Sequence, residues 1–210
     1  DAGLVVPAGE LALGNQVWFD QNNDGIFQPE NGEPGIDGVR LDLYLDANGD
    51  GEPTLGELVA TTTTATTAGF AGRYLFDQLA PGDYIVVVPE SNFAGGGALA
   101  GMRTATGNDP APDPDDDVDG DDNGTDVGAL VASFPVTLSP GDEPVSEDGD
   151  PDTNLTVDFG FIVAGGDPPS GDFFDYGDAP DVGAGTGPGN YQTTALDGGP
   201  RHRLDSAHPV

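Results

Sequence analysis

Hydrophobic and polar residues alternate along most of this chain, and the spacing of an amphipathic helix is almost absent. Leu13, Val17 and Phe19 share one parity, with Trp18 on the other. Val39, Leu41, Leu43 and Leu45 line one face, while Arg40, Asp42 and Tyr44 line the opposite one. Leu58 to Thr64 is threonine-rich, which suits a strand with one wet face. Tyr74 and Phe76 follow a Gly69–Gly72 turn, and Tyr84 to Val88 is a continuous apolar run, as expected of a strand covered on both faces. Leu130, Ala132, Phe134, Val136 and Leu138 alternate again, and Leu155, Val157, Phe159, Phe161 and Val163 form the longest stripe.

Between these runs lie clusters of Gly, Pro, Asn and Asp, which are turn signals. Short strands at this spacing predict an all-β fold, an antiparallel β-sandwich with no helix longer than a turn. The expected organisation is a lead segment over 1–12, the sandwich over 13–163, a Gly/Pro linker over 164–171 and a tail over 172–210. The tail carries too few large apolar residues for its own core, so it is expected to dock on the sandwich or on a neighbouring subunit. The stretch from Gly95 to Gly128 is longer than ordinary loops, and its order would need an internal cause, for which metal is the candidate.

Composition sharpens this picture. The 210 residues carry 38 acids against five arginines and no lysine, a formal net charge of -33. Such a surface excludes nucleic acid and anionic membranes as partners, because both need a basic footprint. No apolar run reaches the ~20 residues of a membrane helix, and no signal peptide precedes Asp1, so the residues read as mature or trimmed protein. Without cysteine there is neither a disulfide nor thiol chemistry. High acidity with 34 Gly and 19 Pro also fits disorder, but the clean alternating runs oppose that. Self-repulsion on this scale opens a compact state unless cations sit at fixed places among the acids.

The acids fall in loops with metal-ligand spacing. Asp46-Ala-Asn48-Gly-Asp50-Gly51-Glu52-Pro-Thr54-Leu-Gly-Glu57 matches D-x-[DN]-x-[DN]-G-x5-E without a gap. Calcium takes six to eight hard oxygens, and loop residues one, three and five converge on one point. Gly51 permits the sharp turn, Glu52 offers a backbone carbonyl, Thr54 acts directly or through water, and Glu57 closes the loop with both oxygens. A second copy begins Asp20-Gln-Asn22-Asn-Asp24-Gly25-Ile26, with Ile26 in the carbonyl position. Its closing acid is displaced: Asn31 occupies the twelfth position, between Glu30 and Glu33, and Glu33 is favoured, with Phe27 to Asn31 bulging out. A third run, Asp115, Asp117, Asp119, Asp121 and Asn123, presents oxygens on one side if the chain is extended, but lacks a closing acid. A fourth cluster, Glu147, Asp148, Asp150 and Asp152, precedes the last stripe. The third and fourth read equally well as solvated charge.

The same residues carry a family resemblance. Gly14-Asn-Gln-Val17-Trp18-Phe-Asp20, then Asp24-Gly25, then Glu33-Pro-Gly35-Ile36-Asp-Gly38-Val39 resembles the opening of an SdrD B-like domain. Gly72-Arg-Tyr74-Leu-Phe76-Asp-Gln-Leu79-Ala-Pro81-Gly82-Asp-Tyr84 is similar to its middle signature, and Asn154-Leu-Thr-Val-Asp158-Phe159-Gly160-Phe161 to its closing strand. The resemblance covers about Leu13 to Val163. It implies a prealbumin-like, Ig-like sandwich of the collagen-adhesin B type, calcium loops at the two positions above, and repeated modules on a bacterial cell surface. It also implies Asp20, Asn22, Asp24 and Glu33 as the first metal loop. Related domains carry a Lys–Asn isopeptide bond; a chain without lysine cannot form one. The tail run Asp175-Tyr-Gly-Asp178-Ala-Pro-Asp181 is similar to a short motif between domains of large bacterial surface proteins.

Catalysis finds little support. The only histidines are His202 and His208, in no recognisable nucleophile–base arrangement, and no phosphate loop is present. The expectation is a non-enzymatic, calcium-stabilised stalk spacer or filament subunit whose partners are neighbouring modules or identical subunits. The alternative is an adhesin that binds a host, polysaccharide or mineral ligand through the 95–128 loop.

Overall fold

Two six-stranded sheets stack face to face in the computed structural model, which describes residues 11–105, 113–164, 174–175 and 202–203. In chain order the strands are β1 (Leu11–Phe19), β2 (Arg40–Leu45), β3 (Leu58–Thr63), β4 (Ala65–Thr67), β5 (Phe70–Leu79), β6 (Gly82–Val88), β7 (Met102–Thr104), β8 (Thr125–Val127), β9 (Leu130–Ala132), β10 (Val136–Leu138), β11 (Thr153–Asn154) and β12 (Phe159–Val163). One sheet runs β4-β5-β1-β12-β7, with β11 also on β1; the other runs β3-β2-β6-β9-β8, with β10 also on β6. Helical structure among the described residues is limited to 3-10 turns of three residues. None is long and apolar enough to cross a membrane.

The sandwich is therefore the expected all-β architecture, with two parallel pairings that alternation cannot show. β1 runs parallel to both β11 and β12, with Trp18 opposite Gly160 and Phe19 opposite Phe161. Side-chain period tells which face is buried but carries no information on strand direction. Inward residues of both sheets, among them Leu13, Val17, Leu41, Leu43, Val86, Val88, Val136, Phe159 and Phe161, make one core in which each is fully buried. The doubly covered β6 is as its apolar run predicts: Ile85 and Val87 pack outward with Ala132 and Tyr44 in a smaller cluster.

Two stripes depart from expectation. The 130–138 run is two strands broken at Ser133–Pro135, where Ser133 bonds β6 through its hydroxyl and Phe134 is turned out, 48 % exposed. The last stripe forms a strand only from Phe159, and Val163 is half exposed at its end. Trp18, opposite in parity to Val17, is nevertheless buried, because Phe27 returns over it with ring centroids 5.6 Å apart. Phe27 thus folds inward where the sequence suggests a bulge. A close backbone approach fixes this corner. Gly72, at φ +79°, could carry a Cβ only 2.2 Å from the Val17 carbonyl oxygen.

The described sandwich belongs to a compact unit over residues 1–168, and a second unit covers 169–210. In the second, β13 (Phe174–Asp175) and β14 (His202–Arg203) pair antiparallel. The docking expected of the tail, and the 175–181 motif beyond Asp175, lie outside the described residues.

Candidate metal centres

Both candidate loops start at the end of a strand. The Asp20 amide donates to the Phe161 carbonyl at 2.9 Å as β1 ends, and the Asp46 amide donates to Asp83 at 2.8 Å as β2 ends. Each loop then turns on its first aspartate in the same way. Oδ1 of Asp20 accepts from the Asn23 and Asp24 amides at 2.6 and 3.3 Å, and Oδ2 from Gly25 at 2.9 Å. Oδ1 of Asp46 accepts from Gly49 and Asp50 at 2.8 and 3.1 Å, and Oδ2 from Gly51 at 3.0 Å. The third residue accepts from the fifth (Asn22 from Asp24, Asn48 from Asp50), and the fifth from the seventh (Asp24 from Ile26, Asp50 from Glu52). The left-handed positions coincide too: Asn23 and Gly25 in one loop, Gly49 and Gly51 in the other, all between φ +57° and +74°. Two unrelated acidic turns would not share this whole set of backbone bonds; the spacing dictates one backbone.

The loops differ in how they close. After Gly25 the chain makes a 3-10 turn over Pro29–Asn31 and then returns along β1, with Phe19 N donating to Pro34 O and Ile36 N to Val17 O. That return sets Glu33 beside the loop, where its carboxylate accepts from the Gln28 amide at 2.7 Å. One oxygen each of Asp20, Asp24 and Glu33 lies within 4.8 Å of the others. Oxygens bound about 2.4 Å from a common calcium ion are at most about 4.8 Å apart, so the three carboxylates fit one ion. Glu30, the competing acid, is exposed. Asp20 and Glu33 are 0 % and 1 % exposed. Burial raises the carboxyl pKa of both; backbone amides oppose this, while Asp24 beside Asp20, and Asp20 and Asp24 beside Glu33, raise it further. The described ion pairs, Arg40–Asp42 and Arg73–Glu147, leave this group without a counter-charge.

In the second loop Glu57 turns back to Thr54. The Thr54 hydroxyl donates to its carboxylate at 2.6 Å, and the two form a capping box on the 3-10 turn Leu55–Glu57. Asp46 is buried, while Asp50 and Glu52 are exposed.

The third run is not the extended row of oxygens its spacing suggests. Asp115 lies in a 3-10 turn and accepts from the Thr137 amide at 2.8 Å; Asp117 is left-handed; Asp119 accepts from the Asn15 side chain at 3.2 Å; Asn123 accepts from the Asp158 amide at 2.8 Å. Asp121 lies between, bridged through its backbone to Ile26. The five residues contact different elements because a turn that binds several strands cannot remain straight. In the fourth cluster, Asp148 and Asp150 accept from amides two residues on, Asp152 accepts from Gly141, and Glu147 faces Arg73 at 3.5 Å.

Asp158 organises this side of the molecule, and only its position between Val157 and Phe159 in an apolar run hints at it. It is fully buried; Oδ1 accepts from the Gln16 amide at 2.8 Å and Oδ2 from Gly120 at 2.9 Å. Burial first, then the Asp119 and Asp121 charges, push its pKa well above the usual carboxylate range. Asp122 does similar work, accepting from Gly124 and Gly160. Among the described residues around Asp158, none forms a nucleophile aligned on a base. The arrangement can hold hard cations and tie strands.

A two-sheet acidic sandwich with two acidic loops of one backbone geometry defines a class of β-sandwich module. The family model described as the SdrD B-like domain matches residues 11–161, and the chain belongs to that family. Among similar proteins is a "Fibrinogen-binding protein" of Staphylococcus epidermidis, 42% identical over 77 residues, covering 37% of this chain and 6% of that protein. "Serine-aspartate repeat-containing protein C" of Staphylococcus aureus (strain MRSA252) is 35% identical over 78 residues, 37% of this chain and 7% of its own. Colossin-B of Dictyostelium discoideum is 33% identical over 89 residues, 41% of this chain and 2% of its own. The chain thus spans less than a tenth of these relatives' length. Among solved structures, the Corynebacterium diphtheriae major pilin SpaA aligns over 73% of this chain and 31% of its own, at 18% identity and TM-score 0.39.

Proposed function

We propose that this chain is a calcium-stiffened structural module of an extracellular bacterial surface protein, serving as a stalk spacer or fibre subunit without catalysis. One observation carries the reading: buried Asp20 and Glu33 converge with Asp24 within 4.8 Å, in a loop whose hydrogen bonds repeat in a second loop. A folded chain does not hold buried carboxylates together without a counter-charge unless something compensates them. Asp20, Asn22, Asp24, the Ile26 carbonyl and Glu33 would hold one ion; Asp46, Asn48, Asp50, the Glu52 carbonyl, Thr54 and Glu57 a second.

Strand order supports the mechanical side. β1 and β12 are the first and last long strands and lie parallel, so tension along the chain loads their ladder in shear, all bonds together. An ion at Asp20 sits where that ladder ends, since the Asp20 amide bonds Phe161. Thermal melting with calcium and after chelation tests the reading. At 100-fold saturation one site adds about 2.7 kcal/mol, and a melting temperature unmoved by EDTA would refute it.

A second reading, adhesion, draws on the exposed acids at Asp113, Asp115, Asp116, Asp117 and Asp119 and on the name of the fibrinogen-binding relative. Surface adhesion that survives deletion of the 106–118 segment would discard it.

A further inference from the structure

The third acidic run makes backbone contacts to the first loop and to no part of the second among the described hydrogen bonds. Phe27 N donates to Gly120 O at 2.7 Å, Asp122 N donates to Gly25 O at 3.0 Å, and Ile26 bridges Asp121. All three loop residues lie at positions six to eight, where the turn around Asp20 is completed; Gly25 N is itself held by Asp20 Oδ2. From there the arm is tied to the sheet. Asn123 N donates to Asp158 O at 2.9 Å, Asp158 N donates to Asn123 Oδ1, Gly120 N to Asp158 Oδ2, and Gly160 N to Asp122 Oδ1. Asp121, Asp122 and Asn123 are at most 3 % exposed, whereas Asp115 to Asp119 stand at the surface. The bonds of the second loop, by contrast, remain within residues 46–57 apart from Asp46 N to Asp83 O and Ala47 N to Leu45 O, and none reaches the 113–124 arm among the described hydrogen bonds.

We infer that the 113–124 arm is a calcium-dependent display segment, ordered by occupancy of the Asp20 loop and indifferent to the Asp46 loop. The inference rests on the reading of the first loop as a calcium site. Its physical basis is linkage. Acids held close repel one another when no cation is bound, which loosens the 20–26 turn; the arm then loses the partners of two backbone bonds and the Ile26 bridge. An ion that fixes the turn restores them, and the exposed acids of the arm acquire a fixed position. Reciprocity requires that an arm prevented from seating weaken calcium binding at the first loop by the same factor. The acidic arm is therefore read as a surface governed by a site, with its own carboxylates engaged in structure.

Hydrogen exchange on the full chain, with calcium and after chelation, tests this alongside calorimetric calcium titration. Calcium is expected to slow exchange over 118–126 about tenfold or more. Asp20→Asn should abolish that protection, while Asp46→Asn leaves it in place. Gly120→Ala alters no metal-binding oxygen; its Cβ would meet only Phe27 Cβ at 3.8 Å, so its cost is the left-handed backbone at φ +78°. That variant should weaken the first site about fivefold and spare the second. Calcium bound at both loops with unchanged exchange over 118–126 would overturn the inference while leaving the metal reading intact. Equal loss of protection in Asp46→Asn would overturn it as well, and so would an unweakened first site in Gly120→Ala. No calcium binding at all would remove the metal reading and this inference together.

Discussion

The 20–33 and 46–57 loops share a backbone and part at their closing acids. Loop 46–57 has the gapless pattern, yet its Glu57 caps its own 3-10 turn through Thr54, and Asp50 and Glu52 face solvent. Loop 20–33 has the displaced acid, yet its Asp20, Asp24 and Glu33 carboxylates are the ones that converge, with Asp20 and Glu33 buried. Linear spacing governs the six residues that bond locally. The closing oxygen is placed by whatever the chain does next: a return along β1 for Glu33, and a hairpin into β3 for Glu57. A burial difference follows, and with it a difference in what a cation is worth at each loop.

The largest effect should come from the first loop. Asp20→Asn or Glu33→Gln is expected to remove most of the calcium-induced rise in melting temperature, about 3 kcal/mol or roughly 6–12 °C for a unit of this size, read by calorimetry. Asp46→Asn should cost about half as much in calcium, because its loop is more open to water; equal losses would erase the distinction between the loops.

Acidity separates metal-free from loaded protein. Asp158, Glu143 and Glu147 have raised pKa values, each chiefly from burial, so the folded state binds more protons than the unfolded one between the ordinary carboxylate range and their folded values. Stability of the metal-free protein therefore falls as pH rises through that window, and is recovered on acidification toward the ordinary carboxylate range. A metal-free melting temperature that only drops as the pH is lowered from neutrality toward that range would contradict this.

Thr54→Ala should cost about 1 kcal/mol without calcium through loss of the cap, and should also weaken calcium binding at the 46–57 loop, where Thr54 is a proposed ligand, as read by calorimetric titration. Glu30→Gln should change neither melting nor calcium affinity, since Glu30 stands at the surface; a marked loss would transfer the closing role from Glu33.

Much of this was legible in one dimension. Inward residues such as Leu41, Leu43, Val86 and Val88 follow from alternation, because a strand's side chains must face opposite sides. The turns at Asp20 and Asp46 follow from an aspartate whose short side chain reaches the amides three to five residues on, a purely local geometry. The 115–123 run departs from a straight row for the complementary reason: its bonds go to Asn15, Thr137, Asp158 and Gly25, residues from 22 to 104 positions away.

Sequence by itself thus determined the inward face of the long strands, the two acidic turns and a net charge of -33, since each depends on neighbours within a few residues or on composition alone. The tertiary structure decided which glutamate meets Asp20, that β1 and β12 run parallel, and that Asp158 ties an acidic arm to the sheet. Those outcomes depend on segments that meet only after long loops close, and the hydrophobic period carries no record of direction or partner.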